Sequence, residues 1–153
     1  MSEIKTYNRG HILKVIEANG IKKNCVCLMD DNYVYLDAVK APQFFWELST
    51  QIIDTLKDWQ AQYRDCDKYS RVVQALGQMS HALQWGDKNS APAGLSLGVF
   101  NYKDNEIGNH SINCAVVKVA GKEEFQLRFF EPQTAKETFL SPQEVQSAFL
   151  ILL

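Results

Sequence analysis

The sequence predicts an α+β fold in which helices from the first half of the chain pack on an antiparallel β-sheet from the second half. Two long segments between residues 42 and 83 repeat apolar residues every three or four positions, as amphipathic helices do. After residue 95 the apolar segments are short and rich in β-branched and aromatic residues, which is typical of strands. Helices followed by strands, rather than alternating with them, indicate the α+β class.

The composition indicates one domain and argues against several classes of partner. The 153 residues are 46% hydrophobic and 22% charged, close to the averages for a soluble globular domain, so we expect a single domain over residues 1–153. The formal net charge of -2 gives no basic excess, and we expect neither nucleic acid nor a membrane as a partner. The N-terminal residues lack a secretory signal pattern, and no apolar stretch is long enough to span a bilayer. These features predict a cytoplasmic protein.

The first 40 residues predict one helix and one hairpin. The segment "HILKVIEANG" predicts a short helix with Asn8 as its N-cap and Gly20 just past its end. The segment "NCVCLMDDNYVYLDAV", residues 24–39, alternates apolar and polar residues on both sides of Asp30, Asp31 and Asn32. This alternation predicts a β-hairpin whose turn lies at those three residues.

Two longer helices follow. Pro42 is placed to open the first, whose apolar positions are Phe45, Leu48, Ile52, Leu56, Trp59 and Tyr63. The second is predicted to begin at Cys66 with Asp65 as its N-cap. Its apolar face is predicted to consist of Tyr69, Val72, Val73, Leu76, Met79 and Leu83.

The strand segments lie at 95–103, 110–120, 124–132 and 148–153. The residues "AGKE" at 120–123 predict a tight turn between the second and third segments. Pairing Ala120 with Glu123 fixes a register in which His110 lies opposite Gln133, with Glu131 on the diagonal. A diagonal neighbour is about 7–8 Å away between Cα atoms, so either residue could orient an imidazole at position 110.

Four cysteines (25, 27, 66 and 114) show neither a C-x-x-C pair nor zinc-like spacing, and we expect free thiols. Cys66 is distinguished from the others by its place at a predicted helix start, where backbone N–H groups and the helix dipole stabilise a thiolate. The neighbouring Asp65 and Asp67 would raise the pKa of the thiol, so a reactive Cys66 requires a histidine partner.

Only one of the three histidines is well placed to act on Cys66. His81 lies on the same helix, roughly 22 Å away at 1.5 Å per residue. His11 falls on a predicted surface helix, where we expect a solvated side chain. His110 begins a strand and has Glu131 or Gln133 across the hairpin, so the sequence predicts a Cys-His-acid arrangement.

The motifs that carry these residues resemble a known family. "DCDKYSRVVQAL", "NHSINCAVV" and "RFFEPQT" are similar to the D-C-D, H-A-[IV]-N and E-P-Q succession of papain-like cysteine protease domains, such as the C-terminal half of the Marasmius agglutinin and related small phage and bacterial proteins. The resemblance covers residues 33–153 and leaves residues 1–32 as an N-terminal extension without a counterpart. The chain reads H-S-I-N where the family reads H-A-I-N.

This resemblance implies a papain-like fold and a peptidase that cleaves amide bonds in a protein or peptide substrate. It implies that Cys66 is the nucleophile, His110 the base and Glu131 the third member of the triad. It further places Gln133 and Trp59 beside the site as orienting or substrate-binding residues. No cofactor is implied apart from calcium, for which Asp67 is the candidate ligand, and Lys68 stands where many relatives carry a further acidic residue.

Two other functions fit the same residues. An acyltransferase of the transglutaminase type would use the same triad, with an amine replacing water. A non-catalytic protein-binding module would keep the fold and use Cys66 only as a structural thiol.

Overall fold

The computed structural model describes residues 5–60, 66–85 and 93–153, without the side chains of residues 56–60 and 84–85. The described helices are α1 (Arg9–Ala18), α2 (Ala41–Gln60), α3 (Cys66–Trp85) and α4 (Pro142–Gln146), with a 3-10 turn at Lys23–Cys25. The described strands are β1 (Tyr7–Asn8), β2 (Val26–Cys27), β3 (Asn32–Val34), β4 (Leu36–Asp37), β5 (Gly94–Leu95), β6 (Leu97–Asp104), β7 (Gly108–Lys118), β8 (Phe125–Glu131), β9 (Lys136–Thr138) and β10 (Leu150–Leu152).

The strands form one main sheet and one small sheet. The main sheet has the order β2-β10-β6-β7-β8-β9, and its neighbours from β10 to β9 are antiparallel. Strand β2 adds to its edge in parallel with β10, and β4 pairs in parallel with β7. The small sheet has the order β1-β3-β5. The predicted α+β class, with helices packed on an antiparallel sheet, is confirmed.

Helices cover both faces of the main sheet. Along β7, Ile112, Cys114 and Val116 belong to a core cluster shared with α1 and α4. The alternate residues Ala115 and Val117 belong to a second cluster shared with α2 and α3. A strand buried on both faces reads as a continuous apolar run, and this is why β7 gave a strong strand signal in the sequence.

Helix α1 follows the prediction and ties the N-terminal residues to the core. The Asn8 side chain accepts a hydrogen bond from the backbone N–H of His11 (3.0 Å), and Gly20 has a φ of +82° just past the helix end. Ile12 and Ile16 are fully buried. Residues 5–32 therefore form part of the core that covers one face of the sheet.

The hairpin predicted for residues 24–39 is wrong. Strand β2 pairs with β10, β3 lies between β1 and β5, and β4 pairs with β7, so the segment crosses from one sheet to the other. Alternation of apolar and polar residues indicates that one face of an extended segment is buried, but it does not indicate which strand the segment pairs with. Long-range pairing prevailed over the local turn.

Helix α2 starts at Ala41, beside the predicted Pro42, and buries Phe45, Leu48 and Ile52. The remaining predicted positions, Leu56, Trp59 and Tyr63, lie outside the side chains that the structure describes. Helix α3 begins at Cys66 as predicted. Its proposed cap, Asp65, also lies outside the described residues.

The apolar face predicted for α3 is only half correct. Tyr69 and Val73 are buried, but Met79 and Leu83 are 60% and 85% exposed, and Val72 is also exposed. The buried face instead runs through Ser70, Val73, Gly77 and His81. A Cβ on Gly77 would lie 2.5 Å from the Leu97 side chain, so the glycine lets the helix approach the sheet closely. Small and polar residues mark this contact, and a search for apolar periodicity misses them.

The predicted register between β7 and β8 is confirmed from Asn113 opposite Phe130 to Lys118 opposite Phe125. The turn is wider than expected: the backbone N–H of Val119 donates to the carbonyl of Glu124, and Gly121 supplies a φ of +73°. The ladder does not reach His110 and Gln133, because β8 ends at Glu131 and the chain turns at Pro132.

No helix in the described ranges combines the length and the apolarity needed to cross a bilayer.

Candidate active site

Cys66 is the first residue of α3 and its thiol is free and half-buried. The helix packs across β6 and β7, so its N-terminal turn lies over the start of β7. The first helical residue has a backbone N–H with no partner inside the helix. The fold therefore brings a thiol and an available backbone donor to the strand that carries His110.

A buried polar cluster fixes this turn of α3 to β7. Ser70 Oγ donates to the carbonyl of Asp67 (3.0 Å), so the hydroxyl of Ser111 is the donor in the 2.7 Å contact between the two serines. Asn113 Nδ2 donates to the carbonyl of Ser70 (2.8 Å) and to that of Gly98 (3.0 Å). Ser70, Ser111 and Asn113 are all buried, so these bonds set the position of α3 against the residues that follow His110.

His110 is held by Glu131, as the diagonal of the predicted hairpin suggested. His110 Nε2 lies 2.7 Å from Glu131 Oε2, and the two side chains are only 10% and 19% exposed. The other carboxylate oxygen, Oε1, accepts from the backbone N–H of Gln133 (3.2 Å). Gln133 therefore supports the carboxylate through its main chain. Because Glu131 engages Nε2, Nδ1 is the ring nitrogen available for a proton from another group.

Tyr102 packs against the other side of the imidazole, and sequence reasoning missed it. It is the cross-strand partner of His110, and its ring lies edge-on to the imidazole with centroids 5.8 Å apart. Its hydroxyl donates to Asp104 Oδ2 (3.2 Å), which fixes the ring. Hydrogen bonds from the backbone N–H groups of Ile107 and Glu106 lower the pKa of Asp104, so this anchor stays ionised. The turn "DNEIG" between β6 and β7 was the available signal for this pairing.

The surroundings of Cys66 favour the neutral thiol. Burial is the main cause that raises the pKa of Cys66, and the negative charges of Asp67 and Glu131 add to it. Hydrogen bonds from the backbone of Ser111 and from the backbone of Cys66 itself oppose this by stabilising the thiolate. The helix start thus stabilises a thiolate as expected, but desolvation outweighs it, so a base is needed to remove the proton.

Two of the groups that change the pKa of Cys66 belong to the neighbourhood of His110. They are the backbone of Ser111, the residue directly after His110, and the charge of Glu131, which pairs with His110. The expected separation of about 4 Å or less between the sulfur and a His110 ring nitrogen stays a prediction. An arrangement of thiol, imidazole and carboxylate in this order can perform nucleophilic attack with general-base assistance.

The other predicted site residues are placed as follows. Asp67 lies at the N-terminal turn of α3, where one oxygen is 3.7 Å from Arg71 Nη2. Among the described residues no group of three or more His, Cys, Asp or Glu side chains is arranged to hold a metal ion, so calcium at Asp67 stays a prediction. Trp59 is a residue of α2, and its side chain is outside the described part of the chain.

His11 and His81 are better connected than the sequence suggested. His11 Nδ1 is 2.6 Å from the hydroxyl of Tyr35, and burial lowers the pKa of this histidine, so it is not a simple solvated side chain. His81 is buried, and its Nε2 bonds the carbonyl of Ala93 (3.2 Å). Neither contact involves Cys66 or His110.

The fold is similar to that of two solved structures. A complex of PSL1a, a Polyporus squamosus lectin, with E64 matches with a TM-score of 0.62 and 18% identity, covering 97% of this chain and 51% of that chain. Polyporus squamosus lectin bound to a human-type influenza-binding epitope matches with a TM-score of 0.59 and 17% identity, covering 97% of this chain and 49% of that chain. This chain thus spans about half the length of each.

No protein-family model matches the sequence, and no curated protein does. The structural match covers nearly all of this chain and so includes most of residues 1–32. At these identities the similarity establishes the fold: helices packed on an antiparallel sheet, as in the PSL1a domain.

Removing the amide of Asn113 should weaken the protein more than removing the hydroxyl of Ser111. Asn113→Ala deprives two buried carbonyls of a donor, and we expect a loss of about 1–3 kcal/mol in the free energy of unfolding. Ser111→Ala leaves Ser70 bonded to the carbonyl of Asp67, and we expect about 1 kcal/mol or less. Urea unfolding of the two variants checks the order, and a larger loss for Ser111→Ala would contradict it.

The pH dependence of Cys66 should report its buried setting. In a His110→Ala variant the thiol has lost its base, and its pKa should lie above the ordinary value of about 8.5. Because the folded state favours the neutral thiol, this thiol stabilises the fold at neutral pH, and the contribution is lost as pH rises through the raised pKa. Iodoacetamide labelling of Cys66 across pH, read by mass spectrometry, should therefore have an alkaline midpoint. A midpoint below that of the same cysteine in urea would contradict the expectation.

Proposed function

We propose that this protein is a papain-like cysteine peptidase that cleaves amide bonds through Cys66, His110 and Glu131. The observation that carries the proposal is the 2.7 Å pair between His110 Nε2 and Glu131 Oε2. Cys66 starts the helix that bonds through Ser70 to Ser111, the residue after His110. A partly buried carboxylate on one imidazole nitrogen leaves the other nitrogen free to act as a base.

In the first half of the reaction, His110 Nδ1 takes the proton of the Cys66 thiol as the sulfur attacks the carbonyl carbon of the substrate. The carbon–sulfur bond forms, and the carbonyl oxygen becomes an oxyanion. The backbone N–H of Cys66, at the start of α3, is placed to donate to that oxyanion. Glu131 stabilises the imidazolium formed at His110.

In the second half, the tetrahedral intermediate collapses and the carbon–nitrogen bond breaks. The imidazolium returns its proton to the leaving amine, and a thioester remains on Cys66. A water molecule then attacks the thioester while His110 accepts its proton. The carbon–sulfur bond breaks, the acid product leaves, and the proton on His110 restores the thiol.

The half-buried position of the Cys66 thiol makes His110 essential as the base. Because burial raises the pKa of Cys66, little thiolate is present at neutral pH without proton transfer to His110. The buried polar cluster of Ser70, Ser111 and Asn113 holds the helix of Cys66 against β7, the strand that carries His110. Proton transfer from Cys66 to His110 therefore needs little rearrangement.

The structural similarity supports the same class of chemistry. The domain resembles PSL1a, and that protein was solved as a complex with E64, an inhibitor of papain-like cysteine proteases. Under this proposal the substrate is a protein or peptide, Trp59 borders the substrate, and Gln133 supports Glu131. No cofactor is required for the steps above, and calcium at Asp67 would be an accessory to them.

Covalent labelling by E64 tests the proposal. The Cys66 sulfur should open the epoxide of E64: a carbon–sulfur bond forms, a carbon–oxygen bond breaks, and the oxygen takes the proton held by His110. Mass spectrometry should find one adduct, on Cys66, that Cys66→Ala abolishes and His110→Ala slows by roughly 10²–10⁴-fold. Cys27→Ser, which removes an exposed thiol, is the matched control and should leave the adduct unchanged.

The same experiment separates the alternatives. An E64 adduct with transfer of acyl groups to added amines, and without peptide hydrolysis, would replace the peptidase by an acyltransferase. No adduct on Cys66, or equal labelling of Cys27 and Cys66, would leave a protein-binding module as the function. Repeating the labelling with a calcium chelator and with added calcium shows whether the ion is needed.

The two residues of the E-P-Q segment should contribute unequally. Glu131→Gln removes the charge that stabilises the imidazolium, so peptide turnover and E64 labelling should fall by roughly 10²–10⁴-fold. Gln133→Ala keeps the backbone N–H that bonds Glu131, so it should change both by much less. Glu106→Gln, in the exposed turn before β7, controls for loss of a carboxylate. A larger effect for Gln133→Ala than for Glu131→Gln would make Gln133 the third member.

A further inference from the structure

Three sulfur-bearing residues alternate in a segment at the edge of the main sheet: Cys25 ends the 3-10 turn, Cys27 lies in β2, and Met29 follows that strand. The segment is Cys25-Val26-Cys27-Leu28-Met29, and β2 is the edge strand of the sheet. Val26 and Leu28 are partly buried against the core under α1. Cys27 and Met29 lie at the intervening positions and are exposed, Met29 by 67%. From Val26 to Met29 the chain therefore turns its apolar residues inward and the sulfur atoms of Cys27 and Met29 outward.

The backbone holds two of these sulfur atoms together. The N–H of Leu153 donates to the carbonyl of Cys27 (3.0 Å), and the N–H of Met29 donates to the carbonyl of Leu153 (2.7 Å). These bonds extend the pairing with β10 past Cys27 and keep residues 27 and 29 on one face. Cys27 Sγ lies 3.9 Å from Met29 Sδ. The backbone hydrogen bonds of the sheet thus keep the Cys27 and Met29 side chains next to each other.

The distance between the two sulfur atoms suits a single metal ion. Metal–sulfur bonds are about 2.3 Å long, so two ligands at 120° around one ion lie about 4 Å apart. Cys25 stands two residues before Cys27, at the end of the 3-10 turn, and its thiol makes only a long contact of 3.6 Å with Asn24 Oδ1. Cys25 is thus the third sulfur of this segment, two residues from Cys27 in the sequence.

The chemistry of these ligands selects the metal. Thiolate and thioether sulfur are soft donors, and a set of two cysteines and one methionine favours Cu(I) over the harder divalent ions. Zinc prefers four ligands from cysteine, histidine and carboxylate, and no group of three such residues is arranged for a metal within the described ranges. Lys22 and Lys23 precede the segment and offset the negative charge of two thiolates.

We propose that Cys25, Cys27 and Met29 form a three-sulfur Cu(I) site at the edge of the sheet. Binding deprotonates the two thiols and releases two protons for each ion. The site is independent of the proposed peptidase function, because none of the three residues belongs to the candidate active site.

Competitive titration with Cu(I) tests this site. The full chain carrying Cys66→Ala, which removes the other half-buried thiol, is titrated anaerobically against bicinchoninate as the competing chelator. One ion per chain should bind. Cys27→Ser should abolish binding, and Cys25→Ser and Met29→Leu should each weaken it by at least the roughly tenfold that is lost when a residue supporting a metal ligand is removed. Met79→Leu, at an exposed methionine on α3, is the matched control and should not change the affinity.

Two outcomes would overturn the proposal. Unchanged affinity in Met29→Leu or Cys25→Ser would exclude three-sulfur coordination. Binding of Zn(II) that displaces Cu(I) at equal concentration would assign the sulfur atoms to a different metal. Circular dichroism of each variant verifies folding, and Met29→Leu is expected to fold normally because the side chain is exposed and the volume is conserved.

Discussion

The buried hydrogen bonds between the first turn of α3 and β7 determine the geometry of the candidate site. Ser70, Ser111 and Asn113 connect the helix that starts at Cys66 to the strand that carries His110. A buried polar group without a partner costs about 1–3 kcal/mol, so a shift of the helix that broke these bonds would be strongly disfavoured. Apolar contacts alone would permit small slides of a helix over a sheet, whereas directional bonds specify one position.

Activation of Cys66 depends on opposing electrostatic effects. Burial and nearby carboxylates favour the thiol, whereas backbone N–H groups at the helix start favour the thiolate. The raised pKa favours a protonated resting cysteine, and under the proposed function His110, supported by Glu131, removes its proton. The same burial lowers the local dielectric and strengthens the pair between His110 and Glu131.

The cysteines of this chain have three different environments. Cys114 is fully buried in the core, where burial raises its pKa to about 12, and it acts as a small apolar residue. Cys66 is half-buried at the start of α3. Cys25 ends the 3-10 turn, and Cys27 lies on the edge strand β2 with its sulfur 3.9 Å from that of Met29. One residue type thus has distinct chemistry because the fold sets its exposure and its neighbours.

The sequence by itself determined the starts of α1, α2 and α3, the strands β6, β7, β8 and β10, and the identity of the paired histidine. Asn8, Pro42 and the turn at Gly121 act within a few residues, so local patterns predicted α1, α2 and the register of β7 with β8. That register is also what placed Glu131 within reach of His110. Such features depend on backbone propensity and side-chain periodicity, which are properties of short segments.

Only the tertiary structure decided the partners of residues 24–39, the buried face of α3 and the support of Glu131 by the backbone of Gln133. Periodicity shows that one face of an element is buried, but not the surface against which it is buried. Gly77 and Ser70 face the sheet because their small side chains allow close approach, and no apolar pattern records that contact. The buried polar cluster between α3 and β7 likewise joins residues about forty positions apart in the sequence, so only the folded chain brings its donors and acceptors together.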